Sequence, residues 1–213
     1  MQQSIGKLHV LTDFYFQQRY THAELASMAI DGGADVIQFR QKVGLIRDLL
    51  FAAEAVAAVC ARANICLLIN DRVDVALAVG ADGVHLGQMD MPIKYAREVL
   101  GPDALIGITA SSLSLALQAE QAGADYIGFG PIFKTRSKDN PLPEKGLEPV
   151  LEVCNLVQIP VIAIAGITPG RVPDLIRVGA HGVAVMSAVS LDDDPRKATE
   201  QFVKAFESVS PRV

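Results

Sequence analysis

Four related stretches decide the fold of this chain: GADVIQF at residues 33–39, GADGVHL at 80–86, GADYIGF at 123–129 and the weaker copy GAHGVAV at 179–185. Each copy places a turn of small residues before a short apolar run, and each follows an alanine-rich helical pattern. The copies begin 47, 43 and 56 residues apart. Self-similarity at a nearly regular spacing indicates an architecture of repeated structural units.

Each repeat is long enough for two strand–helix units. A (β/α)8 barrel, or TIM barrel, uses about 25–30 residues for each of its eight units. Four repeats therefore predict one α/β TIM-barrel domain over residues 1–213. We expect strands at 8–11, 35–39, 66–69, 83–86, 105–108, 126–129, 161–164 and 182–185. These segments are rich in Val, Ile and Leu and do not alternate with polar residues, which is typical of parallel strands buried on both faces.

The composition narrows the range of partners and locations. Half of the residues are apolar and the net charge is −5 without a run of Lys or Arg, so no nucleic-acid partner is expected. No stretch has the length of a membrane span, and the first 16 residues lack the apolar segment of a signal peptide. The three cysteines have no metal-ligand spacing and are expected to be reduced thiols of a cytoplasmic protein. A homo-oligomer is compatible with the sequence.

The second predicted strand runs into the segment Gln38-Phe39-Arg40-Gln41-Lys42. Barrels of this type keep their chemistry at the carboxyl ends of the strands, so we predict that all five residues belong to a substrate site. Side chains alternate along a strand, which places Gln38 and Arg40 on the same side. An amide beside Arg and Lys suits a polar heterocycle that is attached to an anion. The alternative is a solvated turn with unrelated cations.

Two carboxylates follow the next two strands, Asp71 after strand three and Asp90 after strand four. Neighbouring carboxylates repel each other unless a cation lies between them, and Mg2+ commonly binds one or two carboxylates together with substrate phosphates. The sequence therefore predicts a Mg2+ cofactor at Asp71 and Asp90. Each of the two could instead cap a following helix. His85, within strand four, is expected to be a packed, hydrogen-bonded side chain rather than a catalytic base.

The remaining strand ends carry hydroxyls, cations and a glycine. Thr109 ends strand five, and the long loop after strand six contains Thr135, Arg136, Ser137 and Lys138, all four of which we expect to contact substrate. We predict a first anion site formed by Arg40, Lys42, Asn70, Lys138 and the metal. Loops after strands seven and eight often bind phosphate in such barrels, which predicts a second anion site at Gly166 and Ser187.

In its motifs the chain resembles the thiamine phosphate synthase family. The resemblance covers nearly the whole chain and rests on QFRQK at 38–42, INDRVDVAL at 69–77, GADGVHLGQMD at 80–90, GADYIGFGPIF at 123–133 and GITP at 166–169. It implies a transferase that joins hydroxymethylpyrimidine diphosphate to hydroxyethylthiazole phosphate with Mg2+. The products would be thiamine monophosphate and pyrophosphate.

The resemblance also implies roles for individual residues. Gln38 would face the pyrimidine, and Asp71 and Asp90 would bind Mg2+. The pyrophosphate would be held by Arg40, Lys42, Asn70, Thr109 and Lys138, of which Arg40, Thr109 and Lys138 are the expected catalytic residues. The thiazole phosphate would lie along Thr135, Ser137, Gly166, Met186 and Ser187.

The chain departs from the family pattern at several positions. Thr109 and Ser111 stand where members often have Ser and His, and Ala165 stands where a Gly is frequent. The related thiazole tautomerases of the studied type use a His at the position of Ser111 as acid and base, so its replacement favours the transferase. A thiazole tautomerase-like isomerase and a non-catalytic binder of thiamine precursors are the two alternative functions.

Overall fold

The computed structural model describes residues 5–13, 17–135 and 143–209, and these residues form a closed barrel of eight parallel strands. Each strand pairs with its neighbours in chain order, and the first pairs with the eighth. The strands are β1 Leu8–Asp13, β2 Val36–Arg40, β3 Cys66–Asn70, β4 Gly83–Leu86, β5 Leu105–Ala110, β6 Tyr126–Phe129, β7 Val161–Ile164 and β8 Gly182–Val185. The predicted TIM barrel is confirmed.

Helices surround the barrel and follow the strands. They are α1 His22–Asp31, α2 Ile46–Ala63, α3 Val73–Val79, α4 Ile93–Leu100, α5 Leu113–Gln121, α6 Glu148–Leu156, α7 Val172–Arg177, α8 Ser187–Ser190 and α9 Pro195–Glu207. Capping residues mark the start of some helices. Thr21 and Glu24 form a reciprocal capping box at α1, and the Ser112 side chain accepts from the Leu115 amide at α5. Among the described residues no helix is both long enough and apolar enough to cross a membrane.

Two apolar clusters hold the barrel together. The larger fills the space between the strands and the helices and includes fully buried residues such as Leu25, Val56 and Ile127. The smaller lies inside the barrel and contains Ile5, Val36, Leu68, Leu105, Tyr126 and Ile162. The interior is therefore closed by apolar packing over part of its depth, and a ligand cavity has to lie towards one end of it.

The first two residues of each repeat end a helix in the same way. Four glycines have positive φ angles just after α1, α3, α5 and α7: Gly33 at 94°, Gly80 at 63°, Gly123 at 90° and Gly179 at 105°. Each following alanine amide donates a 3.0 Å hydrogen bond into the last turn of its helix: Ala34 to Ala29, Ala81 to Ala76, Ala124 to Ala119 and Ala180 to Leu175. Glycine suits this helix ending because it adopts positive φ without steric penalty.

The third residue of the repeat ties together the amino-terminal ends of neighbouring strands. Asp35 accepts from the Leu8 amide at 2.9 Å, Asp82 from the Leu67 amide at 2.7 Å and Asp125 from the Ile106 amide at 2.7 Å. Each carboxylate thus satisfies a backbone N–H where β1, β3 or β5 begins. In the fourth repeat His181 bonds the Ile5 carbonyl at 2.8 Å instead. The repeats are therefore structural features of the amino-terminal end of the barrel.

Candidate active site

The carboxyl end of the barrel contains a cavity of about 520 Å3. Side chains from the strand ends and the loops that follow them line it. The predicted site residues on its wall are Gln38, Arg40, Lys42, Asn70, Asp71, Asp90, Thr109, Thr135, Gly166, Met186 and Ser187. Residues from seven strand ends, far apart in the chain, are therefore brought to one site.

Arg40 is held by a carboxylate that the sequence analysis did not single out. Asp13 and Arg40 are neighbours in the β1–β2 register, and their side chains form an ion pair in which Asp13 is 1% and Arg40 15% exposed. A buried carboxylate of this kind restrains the guanidinium, whose planar fork can present further N–H groups to the cavity. The pair fixes one cation beside the buried amide of Gln38.

Lys42, Asn70 and Asp71 form a second polar group across the same wall. The Lys42 ammonium pairs with Asp71, and the Asn70 amide donates 2.8 Å to the other carboxylate oxygen. The Asn70 side-chain oxygen is buried without a hydrogen-bond partner among the described residues. Asp71 has a φ of 65°, a left-handed conformation that Asp and Asn tolerate better than most residues.

Asp90 lies beside Asp71, and its Oδ2 accepts from the Gly87 amide at 2.6 Å. Burial raises the pKa of Asp71 above its ordinary value; the Lys42 ammonium opposes this shift, and hydrogen bonding and repulsion with Asp90 add to it. Two carboxyl groups in contact at a cavity wall provide oxygen ligands of the kind that Mg2+ prefers.

Neither carboxylate caps a helix, so that alternative is wrong. The residues before α3 and α4 that occupy the cap positions are Arg72 and Pro92, and neither cap has a side-chain hydrogen bond. Within the described residues, no group of three or more His, Cys, Asp or Glu side chains is arranged to hold a metal. The donor set fits an ion that takes its remaining ligands from water and a substrate phosphate.

Thr109 reaches the cavity from β5 next to a buried histidine. His85 Nε2 lies 2.8 Å from the Thr109 hydroxyl, and His85 Nδ1 lies 2.8 Å from the Tyr126 hydroxyl. The Gln88 amide donates 2.7 Å to the Thr109 carbonyl. His85 is 7% exposed, which confirms the prediction of a packed, hydrogen-bonded side chain.

The opposite wall is formed by the ends of β7 and β8. Gly166 has a φ of 66°, and a Cβ there would lie 2.6 Å from the Lys134 carbonyl oxygen, so that position requires glycine. Arg171 stacks over Phe133, with its guanidinium carbon 4.1 Å from the ring centroid, and donates to the Gly166 carbonyl. These contacts fix a glycine backbone next to Ser187, the first residue of α8.

Two predicted substrate contacts are corrected. Phe39 is 1% exposed and packs against the His22 ring at 4.5 Å between centroids, outside the barrel. Gln41 donates to the Val43 carbonyl at 3.0 Å in the following turn and does not line the cavity. Strand alternation explains both, because Gln38 and Arg40 point inward and their neighbours therefore point away. Arg136, Ser137 and Lys138 lie outside the described residues.

The cavity also contains residues that the sequence analysis missed. They include His9, Leu11, Tyr126, Gly128, Ile162, Ile164 and Ala184, which line its deeper part, and Gln88, Ser111, Gly130 and Pro131, which line its rim. The deeper residues occupy alternate positions of their strands, so the two-residue period could have identified them. His9 is buried, its Nδ1 has no partner among the described residues, and burial lowers its pKa to about 3, so its ring is neutral.

Comparisons with known proteins agree with this geometry. The family model described as thiamine monophosphate synthase matches residues 8–189. A thiamine-phosphate synthase of Salinibacter ruber is 56% identical over 208 residues, covering 98% of this chain and 92% of the relative. One from Chlorobium phaeovibrioides is 48% identical and covers 85% of this chain and 87% of the relative. The solved thiamine phosphate pyrophosphorylase of Pyrococcus furiosus is 39% identical, with a TM-score of 0.86, covering 94% of this chain and 95% of that one.

Proposed function

The chain belongs to the thiamine monophosphate synthase family, and from that premise we propose that it is a thiamine-phosphate synthase. It is a transferase that couples hydroxymethylpyrimidine diphosphate to hydroxyethylthiazole phosphate and releases pyrophosphate. The observation that carries this proposal is the contact of Asp71 with Asp90 on the wall of a cavity that also contains Arg40 and Lys42. That combination of carboxylates and cations suits a diphosphate bound with a divalent cation. A simple isomerase requires neither the diphosphate nor the metal.

The leaving diphosphate belongs on the side of β2, β3 and β4. Breaking the pyrimidine CH2–O bond sends its electron pair to the diphosphate oxygen, so negative charge grows there. Arg40 and Lys42 provide positive charge beside that oxygen, and Asn70 and Thr109 provide polar contacts. Fixed donors and charges that face a developing anion are usually the largest contribution to such a rate.

Asp71 and Asp90 are the residues that would hold Mg2+. When bound, the ion supplies further positive charge to the diphosphate oxygens, as a Lewis acid. Lys42 already faces the Asp71 carboxylate, so its ammonium lies where it can also contact a diphosphate. The Asp13–Arg40 pair keeps the second cation in place throughout.

The thiazole phosphate belongs at the ends of β7 and β8. The Gly166 backbone and Ser187 are suited to a phosphate group, and that phosphate positions the ring. The thiazole nitrogen lone pair then forms the new C–N bond to the CH2 carbon. The reaction requires no general base, since no proton is removed. Two bound reactants in one cavity gain much of the remaining rate enhancement from proximity.

The test is direct coupling. We expect the purified chain, supplied with both substrates and Mg2+, to form thiamine monophosphate and pyrophosphate in equal amounts by 31P NMR. Asp71→Asn should abolish most of this turnover, whereas Asp74→Asn, on the exposed face of α3, should not. A parallel assay of isomerisation of a thiazole carboxylate phosphate addresses the tautomerase alternative. Isomerisation without coupling would refute the proposal, and binding of both substrates without pyrophosphate release would favour the non-catalytic alternative.

The location and assembly of the enzyme are also proposals. Burial raises the pKa of the Cys60 and Cys66 thiols to about 12, which keeps them protonated and unreactive. Such thiols support a cytoplasmic enzyme. A homo-oligomer without a nucleic-acid partner is compatible with the net charge of −5.

A further inference from the structure

Three polar side chains form a hydrogen-bonded column inside the barrel. Tyr126 of β6 lies deepest, His85 of β4 lies above it, and Thr109 of β5 is at the level of the substrate cavity. Both links are 2.8 Å long. Tyr126 is 1% exposed and forms part of the deep wall of the cavity.

Two glycines provide the space for this column. A Cβ at Gly107 would lie 2.0 Å from Tyr126 Cζ, and a Cβ at Gly128 would lie 2.7 Å from His85 Cε1. Gly107 and Tyr126 are neighbours in the β5–β6 register. The barrel interior therefore accommodates a tyrosine and a histidine in fixed positions, since any larger residue at either glycine would displace them.

The direction of the hydrogen bonds follows from the donors available. The Tyr126 hydroxyl has one hydrogen and, within the described residues, one hydrogen-bond partner, His85 Nδ1. Leaving a buried hydroxyl hydrogen without an acceptor is costly, so Nδ1 accepts. Burial also raises the pKa of Tyr126 far above its ordinary value, so the hydroxyl keeps its hydrogen. The neutral His85 ring then carries its hydrogen on Nε2 and donates to the Thr109 oxygen.

We propose that Tyr126 and His85 are positioning residues that direct the Thr109 hydroxyl hydrogen into the cavity, as a fixed donor to an anionic oxygen of the bound diphosphate. Because the Thr109 oxygen accepts from His85, its own hydrogen must find another acceptor, and Thr109 lines the cavity. The diphosphate as acceptor rests on the proposed function, whereas the hydrogen-bond direction does not.

The first test is the tautomer of His85 in the wild-type chain, measured by long-range 1H–15N NMR correlations. The His85 signal is assigned as the one that disappears in His85→Gln. We expect a neutral ring with its hydrogen on Nε2. A hydrogen on Nδ1, or on both nitrogens, would overturn the proposal. This measurement needs no substrate, so it decides the hydrogen-bond direction even if the chain forms no thiamine monophosphate.

The second test is a double-mutant cycle on coupling activity. Tyr126→Phe removes only the hydroxyl and should lower kcat about tenfold, the effect of misdirecting one hydrogen bond to a charged group. In a Thr109→Ala background the same change should have almost no further effect, because the hydroxyl that it directs is gone. Thr109→Ser should restore the sensitivity to Tyr126→Phe.

The matched control is Tyr95→Phe, which removes a hydroxyl from a tyrosine that is 53% exposed on α4 and should leave kcat unchanged. A tenfold loss from Tyr126→Phe that persists in the Thr109→Ala background would show a structural effect on the barrel and would contradict the positioning role. An unchanged kcat in Tyr126→Phe would contradict it as well.

Discussion

At the amino-terminal end of the barrel three aspartates of the repeats make equivalent contacts, whereas at the carboxyl end the strands carry different polar groups. Asp35, Asp82 and Asp125 each bind a backbone N–H where the preceding strand begins. At the other end, β2 carries Arg40, β3 runs into Asp71 and β5 carries Thr109. Repetition has been kept where the requirement is the same for each unit, namely ending a helix and beginning a strand.

Within a single strand, residues at the amino-terminal end stabilise the fold, whereas residues at the carboxyl end contribute to the chemistry. Strand β3 has the Asp82 carboxylate at its first residues and is followed by Asp71 in the cavity. The two aspartates have the same functional group but opposite surroundings: one accepts a backbone N–H, and the other contacts a second carboxylate. Substitutions at the amino-terminal end should therefore lower stability, and substitutions at the carboxyl end should lower turnover.

The largest effect on activity is expected from Asp90→Asn. Asparagine can still accept from the Gly87 amide, so the turn before α4 should persist, but the negative charge facing Asp71 is lost. Coupling should fall about 100-fold or more, since preorganised charge at the leaving group is removed. Chelation of Mg2+ by EDTA should reduce the wild-type rate to a similar level. Near-normal turnover of Asp90→Asn at low Mg2+ would exclude the two-carboxylate site.

Arg40→Ala should affect both stability and activity. It therefore tests most severely whether residues at the carboxyl end act on turnover alone. It removes the guanidinium that pairs with the buried Asp13 carboxylate, and breaking such a pair costs about 3–5 kcal/mol of unfolding free energy. Adding Asp13→Asn should recover much of that stability without recovering diphosphate binding. Denaturant unfolding and pyrimidine diphosphate titrations measure the two quantities. Recovery of binding in the double variant would show that Arg40 has only a structural role.

Two glycines allow a matched test at opposite ends. Gly166→Ala places a Cβ 2.6 Å from the Lys134 carbonyl and should raise KM for thiazole phosphate about tenfold through a displaced backbone. Gly123→Ala has no neighbour within 4 Å of the new Cβ, and should lower stability by about 1 kcal/mol through its positive φ alone. Equal effects of the two changes on KM would contradict the assignment.

The smallest effect is expected from Ser111→Ala. Ser111 lines the cavity at the position where thiazole tautomerases of the studied type carry a histidine. Because coupling needs no acid or base there, kcat/KM should stay within about twofold of the wild-type value. A loss of coupling comparable to that of Asp90→Asn would instead place a catalytic group at this position and revive the isomerase alternative.

The sequence predicts the fold and the charged residues at the strand ends of the cavity, because both depend on short-range patterns. The repeats fix the number of units, and the two-residue period of strands fixes which side chains face inward. That same period already places Phe39 and Gln41 outside, so their assignment to the substrate site was avoidable. Tyr126 and His9 could have been identified in the same way.

Other features depend on strand register and backbone conformation, which cannot be deduced from the sequence patterns. The partnership of Asp13 with Arg40 requires β1 to extend to Asp13 and to pair in that register with β2, whereas the predicted strand ended at residue 11. Arg72, not Asp71, occupies the N-cap position of α3, and the Asp71 carboxylate is bonded to Lys42 and Asn70, so the capping alternative fails. The role of the Gly-Ala-Asp phrase at the opposite end also required the structure, since its hydrogen bonds join different repeats.

The raised pKa of Asp71 determines how this residue makes the stability of the fold depend on pH. A pKa that is raised in the folded state means that ionisation of Asp71 is less favourable there than in the unfolded chain. Its ionisation therefore lowers stability above the unfolded-state pKa, and this penalty disappears as the pH falls below that value. Asp71→Asn removes the penalty and retains a residue that tolerates positive φ, so the variant should be at least as stable as wild type at pH 7.

The division between the two ends of the barrel is tested most directly by comparing Asp71→Asn with Asp82→Asn at pH 7. For each variant the unfolding free energy and kcat/KM for coupling are measured. We predict that Asp71→Asn loses most of its turnover with no loss of stability. Asp82→Asn weakens a charge-assisted bond to the Leu67 amide and should lose about 1–2 kcal/mol of stability with near-normal turnover. A stable Asp82→Asn variant without turnover, or an Asp71→Asn variant with full turnover, would contradict the division of the barrel into a structural end and a chemical end.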